Sequence, residues 1–239
     1  MKKDLTIIGI IPQYPRHSQN NIYAKIKMPP VGILSVLSQI THHPRCKNVY
    51  AMDENNYGGP LTDQNLPDHL CLQTDKPAHL ALFYGGMSNS IPRMFTLARQ
   101  YQGFGAITIA GGSHVDALPE EALRSGIDIV VHGEGEETIM ELLAALATDN
   151  GGVAMNRAGL SSVSGISFLD AAGACVFTGR RQPICDLNDL ADPDLTLVKF
   201  MKKRWSAIPI NRGRGCNFNC EFCVVNRQYG HYKSASAET

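Results

Sequence analysis

Short, almost wholly apolar runs alternate along this chain with stretches in which apolar residues recur every three or four positions. The runs Leu5–Ile11, Asn48–Met52, Leu80–Tyr84, Ala106–Ala110 and Ile127–Val131 are aliphatic or β-branched over strand length and end near Gly, Pro or Asp. Their near-continuous apolarity predicts strands covered on both faces. Between them, Gly32–Ile40, Ile91–Tyr101, Pro119–Ser125 and Glu136–Ala147 read as helices. In the last, Ile139, Leu142, Leu143 and Leu146 fall on one face. Pro119 opens its helix with Glu120 and Glu121 in the first turn, where the macrodipole favours carboxylates. The alternation predicts an α/β fold, an open parallel doubly wound sheet, over residues 1–150.

After Ala147 the rhythm breaks. Thr148–Ser164 is rich in Gly, Ser and Asn and reads as loop. Gly165–Leu169 and Ala174–Thr178 flank a turn at Asp170–Gly173 and predict a hairpin. A stretch punctuated by Pro and Asp, Gln182–Asp194, reads as linker, so residues 151–205 form a hairpin and linker segment. A further apolar run, Ser206–Ile210, is expected to open a second unit over residues 206–239. That stretch is too short for a domain of its own, so the second unit is expected to be truncated.

Composition narrows the partners. The chain has 239 residues, of which 44% are hydrophobic, enough for one well-buried core. Lys plus Arg equals Asp plus Glu, which gives no electrostatic case for nucleic acid or an anionic membrane surface. No apolar run approaches membrane-spanning length. The basic-then-apolar start faintly resembles a secretion signal, but Asp4 and Pro12 interrupt it and no small-residue cleavage site follows. It reads as the first strand of a cytoplasmic protein.

Seven cysteines are present, and three crowd into Cys216-Asn-Phe-Asn-Cys220-Glu-Phe-Cys223. Cys46, Cys71, Cys175 and Cys185 are scattered and read as reduced thiols. The C-x3-C-x2-C loop has the ligand type that iron–sulfur clusters select. Three thiolates can each hold one iron of a [4Fe–4S] cubane and leave the fourth iron open to a substrate or cofactor. Gly213 and Gly215 let the backbone turn sharply beside it. A structural zinc site is the rival reading, with His231 the nearby candidate for a fourth ligand.

The loop Arg-Gly-Cys216-Asn-Phe-Asn-Cys220-Glu-Phe-Cys223 resembles that of the radical S-adenosylmethionine (SAM) superfamily. A second resemblance runs through Pro29-Pro30-Val-Gly-Ile-Leu, Ala110-Gly111-Gly112-Ser-His114, His132-Gly133-Glu134-Gly135-Glu136 and Asp186–Asp194, which stand in the order seen in cobalamin (B12)-binding-domain radical SAM proteins. It covers most of residues 1–223. The resemblance implies a flavodoxin-like (Rossmann-like) B12-binding domain followed by the start of a (β/α) barrel. It implies a cluster on Cys216, Cys220 and Cys223 that chelates SAM and cleaves it to a 5′-deoxyadenosyl radical, with an electron donor such as flavodoxin or ferredoxin. Phe222 matches a position near the adenine; its plain alternative is packing.

Gly58–Gly59, Gly85–Gly86 and Gly111–Gly112 each follow a predicted strand, where backbone without side chains admits a flat ligand such as a corrin. Tight turns are the simpler account of any one pair. Ser88 matches a family serine that contacts the buried tail of cobalamin; its alternative is capping the helix at Ile91. One departure stands out. B12 domains of the mutase type carry Asp-x-His-x-x-Gly, whose His ligates cobalt, and here the match is Asp53-Glu-Asn55-Asn-Tyr-Gly58. Bound cobalamin is therefore expected without histidine ligation, with Asn55 and Gly58 at its edge. Glu134 and Glu136 read as carboxylates at a helix N-terminus rather than a catalytic pair, and His114 and His132 as loop hydrogen-bonders. Three functions follow: a radical SAM enzyme using cobalamin for methyl transfer, rearrangement or cyclisation; one not using it; or a cobalamin- or redox-sensing module with a structural metal. A methylthiotransferase fits less well, because Cys46 and Cys71 do not form a second cluster pattern. The substrate is not legible, and the truncated chain is expected to be inactive alone.

Overall fold

A computed structural model describes residues 4–15, 27–148 and 150–236. The chain runs β1 (Leu5–Ile11), α1 (Val31–Ile40), β2 (Cys46–Asp53), α2 (His69–Asp75), β3 (Leu80–Tyr84), α3 (Ile91–Gly103), β4 (Ile107–Gly111), α4 (Ser113–Ala117), α5 (Pro119–Arg124), β5 (Ile129–Val131) and α6 (Glu136–Ala145). After α6 come α7 (Arg157–Leu160), the strands β6 (Ile166–Leu169) and β7 (Cys175–Phe177), and then β8 (Gly213–Arg214), α8 (Val225–Tyr229) and β9 (Lys233–Ser234).

The main sheet has the order β2-β1-β3-β4-β5-β6-β7. Its first five strands are parallel, and β6 and β7 are antiparallel. Every residue of β1 is buried. Leu5, Ile7 and Ile11 face a layer built with Leu34 and Leu37 of α1 and Leu142 of α6. Ile8 and Ile10 face the other layer, with Met94, Leu97 and Tyr101 of α3. Two apolar faces on one strand explain the unbroken apolar run. At Gly9 a side chain would strike Leu37 of α1, so the glycine sets how closely that helix lies on the sheet.

The predicted hairpin forms, and it does more than trail the domain. β6 pairs with β5, matching Ile129 with Phe168 and Val131 with Ile166, and so extends the sheet. Phe168 is fully buried in the layer that contains α1 and α6. The expected strand Ser206–Ile210 does not form: the segment is irregular, and Ile210 is 91% exposed. A strand needs a ladder partner; here the Ser206 and Ala207 N–H groups donate to the Lys27 carbonyl, at 2.7 and 3.4 Å, and among the described residues no strand pairs with the segment. Periodicity missed the short helices α2, α4, α7 and α8, of 7, 5, 4 and 5 residues.

Candidate functional site

The carboxyl ends of β3, β4 and β5 open into a cavity of about 700 Å³, within the range of small-molecule sites. Leu82, Ile109, Val131 and Ile139 floor it, and Val31, Ile33 and Val36 of α1 form one side. The outer wall is a later part of the chain: the linker residues Ala191–Pro193, the segment 210–215, and Val225 and Tyr229 of α8. Burial pushes the Tyr229 hydroxyl above its usual range. The cavity therefore lies between the α/β layer and the segment that carries the cysteines, at the edge where open α/β sheets bind ligands.

The expected glycines divide. Gly111 lines the cavity, and a side chain there would meet only Val131 at 3.8 Å, so the space beyond it is open. Gly112 also lines it, with φ +122, but an added Cβ would lie 2.6 Å from the Gly86 nitrogen; this glycine is needed for backbone packing. Gly85 packs under Val115 and Gly86 under the Tyr84 ring. Gly58 is a correction. It donates its N–H to the Phe200 carbonyl at 2.7 Å, and a Cβ would strike Lys202, so it seats the linker and does not line the cavity.

Asn55 is likewise committed elsewhere. Its side-chain amide donates to the Pro12 carbonyl (3.2 Å) and to Asp53 (2.9 Å), while its oxygen accepts from the Tyr14 N–H (2.9 Å). It ties two strand ends together and is not among the cavity residues. Ser88 is exposed and does not line the cavity either; its Oγ lies 2.9 Å from His114 Nδ1, and no side chain caps α3. His114 and His132 are hydrogen-bonders: His132 is buried between Asp116 (2.5 Å) and Ser167 (2.8 Å). Burial would raise the Asp116 carboxyl, but His132 and Arg180 hold it below the usual range.

Cys216, Cys220 and Cys223 sit on the loop between β8 and α8, with no disulfide among them. Cys216 Sγ accepts from the Phe218 N–H at 3.4 Å, and the Cys223 N–H donates to the Cys220 carbonyl at 3.0 Å. Among the described residues no three His, Cys, Asp or Glu side chains are gathered as a metal site, so the thiols share one loop without converging. Phe222 is 91% exposed and does not line the cavity. Gly215, at φ +81, lies against the His231 carbonyl with no room for a side chain. The scattered cysteines are free, and burial pushes the Cys46 thiol up to about 11.

Sequence reasoning missed what surrounds Glu134 and Glu136. Both stand in the turn from β5 into α6, as expected, but they are buried and paired with Arg214 and Lys233, which flank the cysteine loop. Burial alone would raise the Glu136 carboxyl; the Arg214 guanidinium and the Ser35 hydroxyl hold it below the usual range. No local sequence signal links residues so far apart in the chain.

The fold is an α/β domain with a cavity at its strand ends, and residues 68–143 match the family model of the B12 binding domain. The chain's cysteine and glycine segments are similar to those of B12-binding-domain radical SAM proteins. It is 32% identical over 136 residues to the anaerobic magnesium-protoporphyrin IX monomethyl ester cyclase of Rubrivivax gelatinosus, covering 53% of this chain and 23% of that protein. It is 27% identical over 176 residues to the bacteriochlorophyllide d C-8(2)-methyltransferase of Chlorobaculum tepidum, covering 70% of this chain and 35% of that one. Its fold superimposes on OxsB, a cobalamin-dependent S-adenosylmethionine radical enzyme solved with aqua-cobalamin and S-adenosylmethionine bound. The TM-score is 0.71 at 16% identity, over 98% of this chain and 30% of OxsB. The chain thus spans well under half the length of these relatives. Among the described residues no helix is long and apolar enough to cross a membrane.

Proposed function

We propose that this chain binds cobalamin in the cavity at the carboxyl ends of β3, β4 and β5, and holds a [4Fe–4S] cluster on Cys216, Cys220 and Cys223. In the protein it serves, these act on an unactivated carbon. The observation that carries this reading is the position of the cavity, whose floor is the α/β sheet and whose outer wall is the segment bearing the cysteines. Its apolar floor and the open space beyond Gly111 suit a large flat ligand. Three thiols on one loop, free of disulfides, suit iron. When bound, the cluster with SAM supplies a 5′-deoxyadenosyl radical, and cobalamin supplies a methyl carrier or a second redox centre.

The chain's own residues bind and orient. Leu82, Ile109, Val131 and Ile139 exclude water from the inner end of the cavity. Asn55 supplies no ligand to cobalt, because its amide is spent on Pro12, Asp53 and Tyr14. Cys216, Cys220 and Cys223 would hold the cluster, and Phe222 offers an exposed aromatic face beside them. An electron donor of the flavodoxin or ferredoxin type would reach the loop from its exposed side. The likeness to both a cyclase and a methyltransferase keeps methyl transfer and ring formation as the two reaction types.

The test is anaerobic reconstitution with iron and sulfide, followed by electron paramagnetic resonance of the reduced protein with and without SAM. The expected result is a [4Fe–4S] signal that shifts on adding SAM and is absent from the Cys216→Ala/Cys220→Ala/Cys223→Ala variant. Zinc in place of iron, or a signal that survives in the variant, rejects the cluster assignment.

A further inference from the structure

Glu134 and Glu136 have side chains only 2% and 5% exposed. They point out of the α/β layer toward two cations from the other side of the cavity. Arg214 Nη1 donates to Glu134 at 2.8 Å, and its Nη2 donates to Glu136 at 2.6 Å and to Ser35 Oγ at 3.2 Å. Lys233 Nζ donates to the other oxygen of Glu134 at 2.7 Å, and the Ile184 N–H donates to that same oxygen at 2.8 Å. Arg214 and Lys233 face each other across the β8–β9 ladder. All three cysteines lie on the chain between them, and Cys216 is two residues from Arg214.

A ladder of two residues a strand cannot hold its own orientation. The ion network ties it to the α/β layer, alongside Lys233 Nζ on the Ile184 carbonyl and the Ser236 N–H on Asn188 Oδ1, and the planar fork of Arg214 fixes angle as well as distance. Buried ion pairs add little net stability, because desolvation opposes the attraction. Their geometric demands are strict, which suits a part whose position matters.

We propose that Glu134 and Glu136 are positioning residues: through Arg214 and Lys233 they clamp the base of the cysteine loop to the mouth of the cavity. The loop's distance from whatever fills the cavity is then set by the α/β layer, and filling the cavity tightens the clamp. This rests on the reading above, in which the loop holds a cluster and the cavity holds cobalamin.

The experiment is amide hydrogen exchange on the full chain, without and with hydroxocobalamin, for wild type, Glu134→Gln/Glu136→Gln and Arg214→Lys. The reporters are the Cys216 amide, bonded to the Gly230 carbonyl, and the Ala235 amide, bonded to the Arg212 carbonyl. In the double variant both should exchange about tenfold faster or more, while β3 and β4 keep wild-type protection. Arg214→Lys keeps the charge but loses the fork, and should reproduce the change. Hydroxocobalamin should slow both reporters in wild type and leave them unmoved in the variants. Unchanged reporters in the double variant, or wild-type behaviour in Arg214→Lys, overturn the clamp. If the double variant loses protection throughout, Arg214→Lys decides. If wild type takes up neither iron nor cobalamin, the functional reading fails, while exchange in the unloaded protein still decides the clamp.

Discussion

Glu54 shows how far a single residue's chemistry depends on neighbours the sequence does not reveal. It follows Asp53 in what looks like a degenerate cofactor motif, yet it is fully buried, and accepts from Arg93 at 2.6 and 3.0 Å and from the Gln13 N–H at 2.8 Å. His69 lies 3.0 Å away and itself contacts Tyr101 at 2.9 Å. Burial alone would raise the carboxyl; His69 and Arg93 hold it below the usual range. A depressed carboxylate contributes stability that is present above its unfolded value, about 4.3, and is lost as pH falls through the folded value. Glu54→Gln is therefore expected to cost about 3 kcal/mol at pH 7, since Arg93 is left without its charge. In urea unfolding the gap to wild type should narrow below about pH 4. An equal gap at both pH values would remove Glu54 from the account. That Cys216, Cys220 and Cys223 share one loop was legible from their spacing, and the contacts of Asn55 and Gly58 were not: both residues are spent on segments distant in sequence, Asn55 on Pro12 and Tyr14, Gly58 on Phe200 and Lys202.

At the scale of elements, β1 and β3 coincide with their apolar runs to the residue, because a strand buried on both faces leaves nothing else for the pattern to mean. The pattern fails where pairing rather than burial decides. Ser206–Ile210 is as apolar as a strand and is not one. The hairpin was legible as a hairpin, but its attachment to β5 was not, because antiparallel addition at a sheet edge leaves no periodic trace. Phe168→Ala tests that attachment. With Phe168 seated in the main core, the substitution should lower the stability of the whole domain by about 3–5 kcal/mol in a single cooperative transition. A small local loss, with the main transition unmoved, would make the hairpin an appendage.

Across the whole molecule, one cavity has Gly111 and Gly112 on its sheet side and Arg214 and Gly215, at the base of the cysteine loop, on the other. The floor was legible from the order of strands, since open α/β sheets bind at their carboxyl edge. The wall was not, because it needs Arg214 and Tyr229 to cross back over that edge. The measurement that tests this union most directly is a titration with hydroxocobalamin, followed by visible absorption, of wild type and Gly111→Leu. The leucine has ordinary contact at its Cβ and fills the space beyond it. The account predicts one cobalamin per wild-type chain, and binding at least about 100-fold weaker in Gly111→Leu, a loss of roughly 2.7 kcal/mol, with thermal stability little changed. No corrin bound by wild type, or equal affinity in the variant, would contradict it.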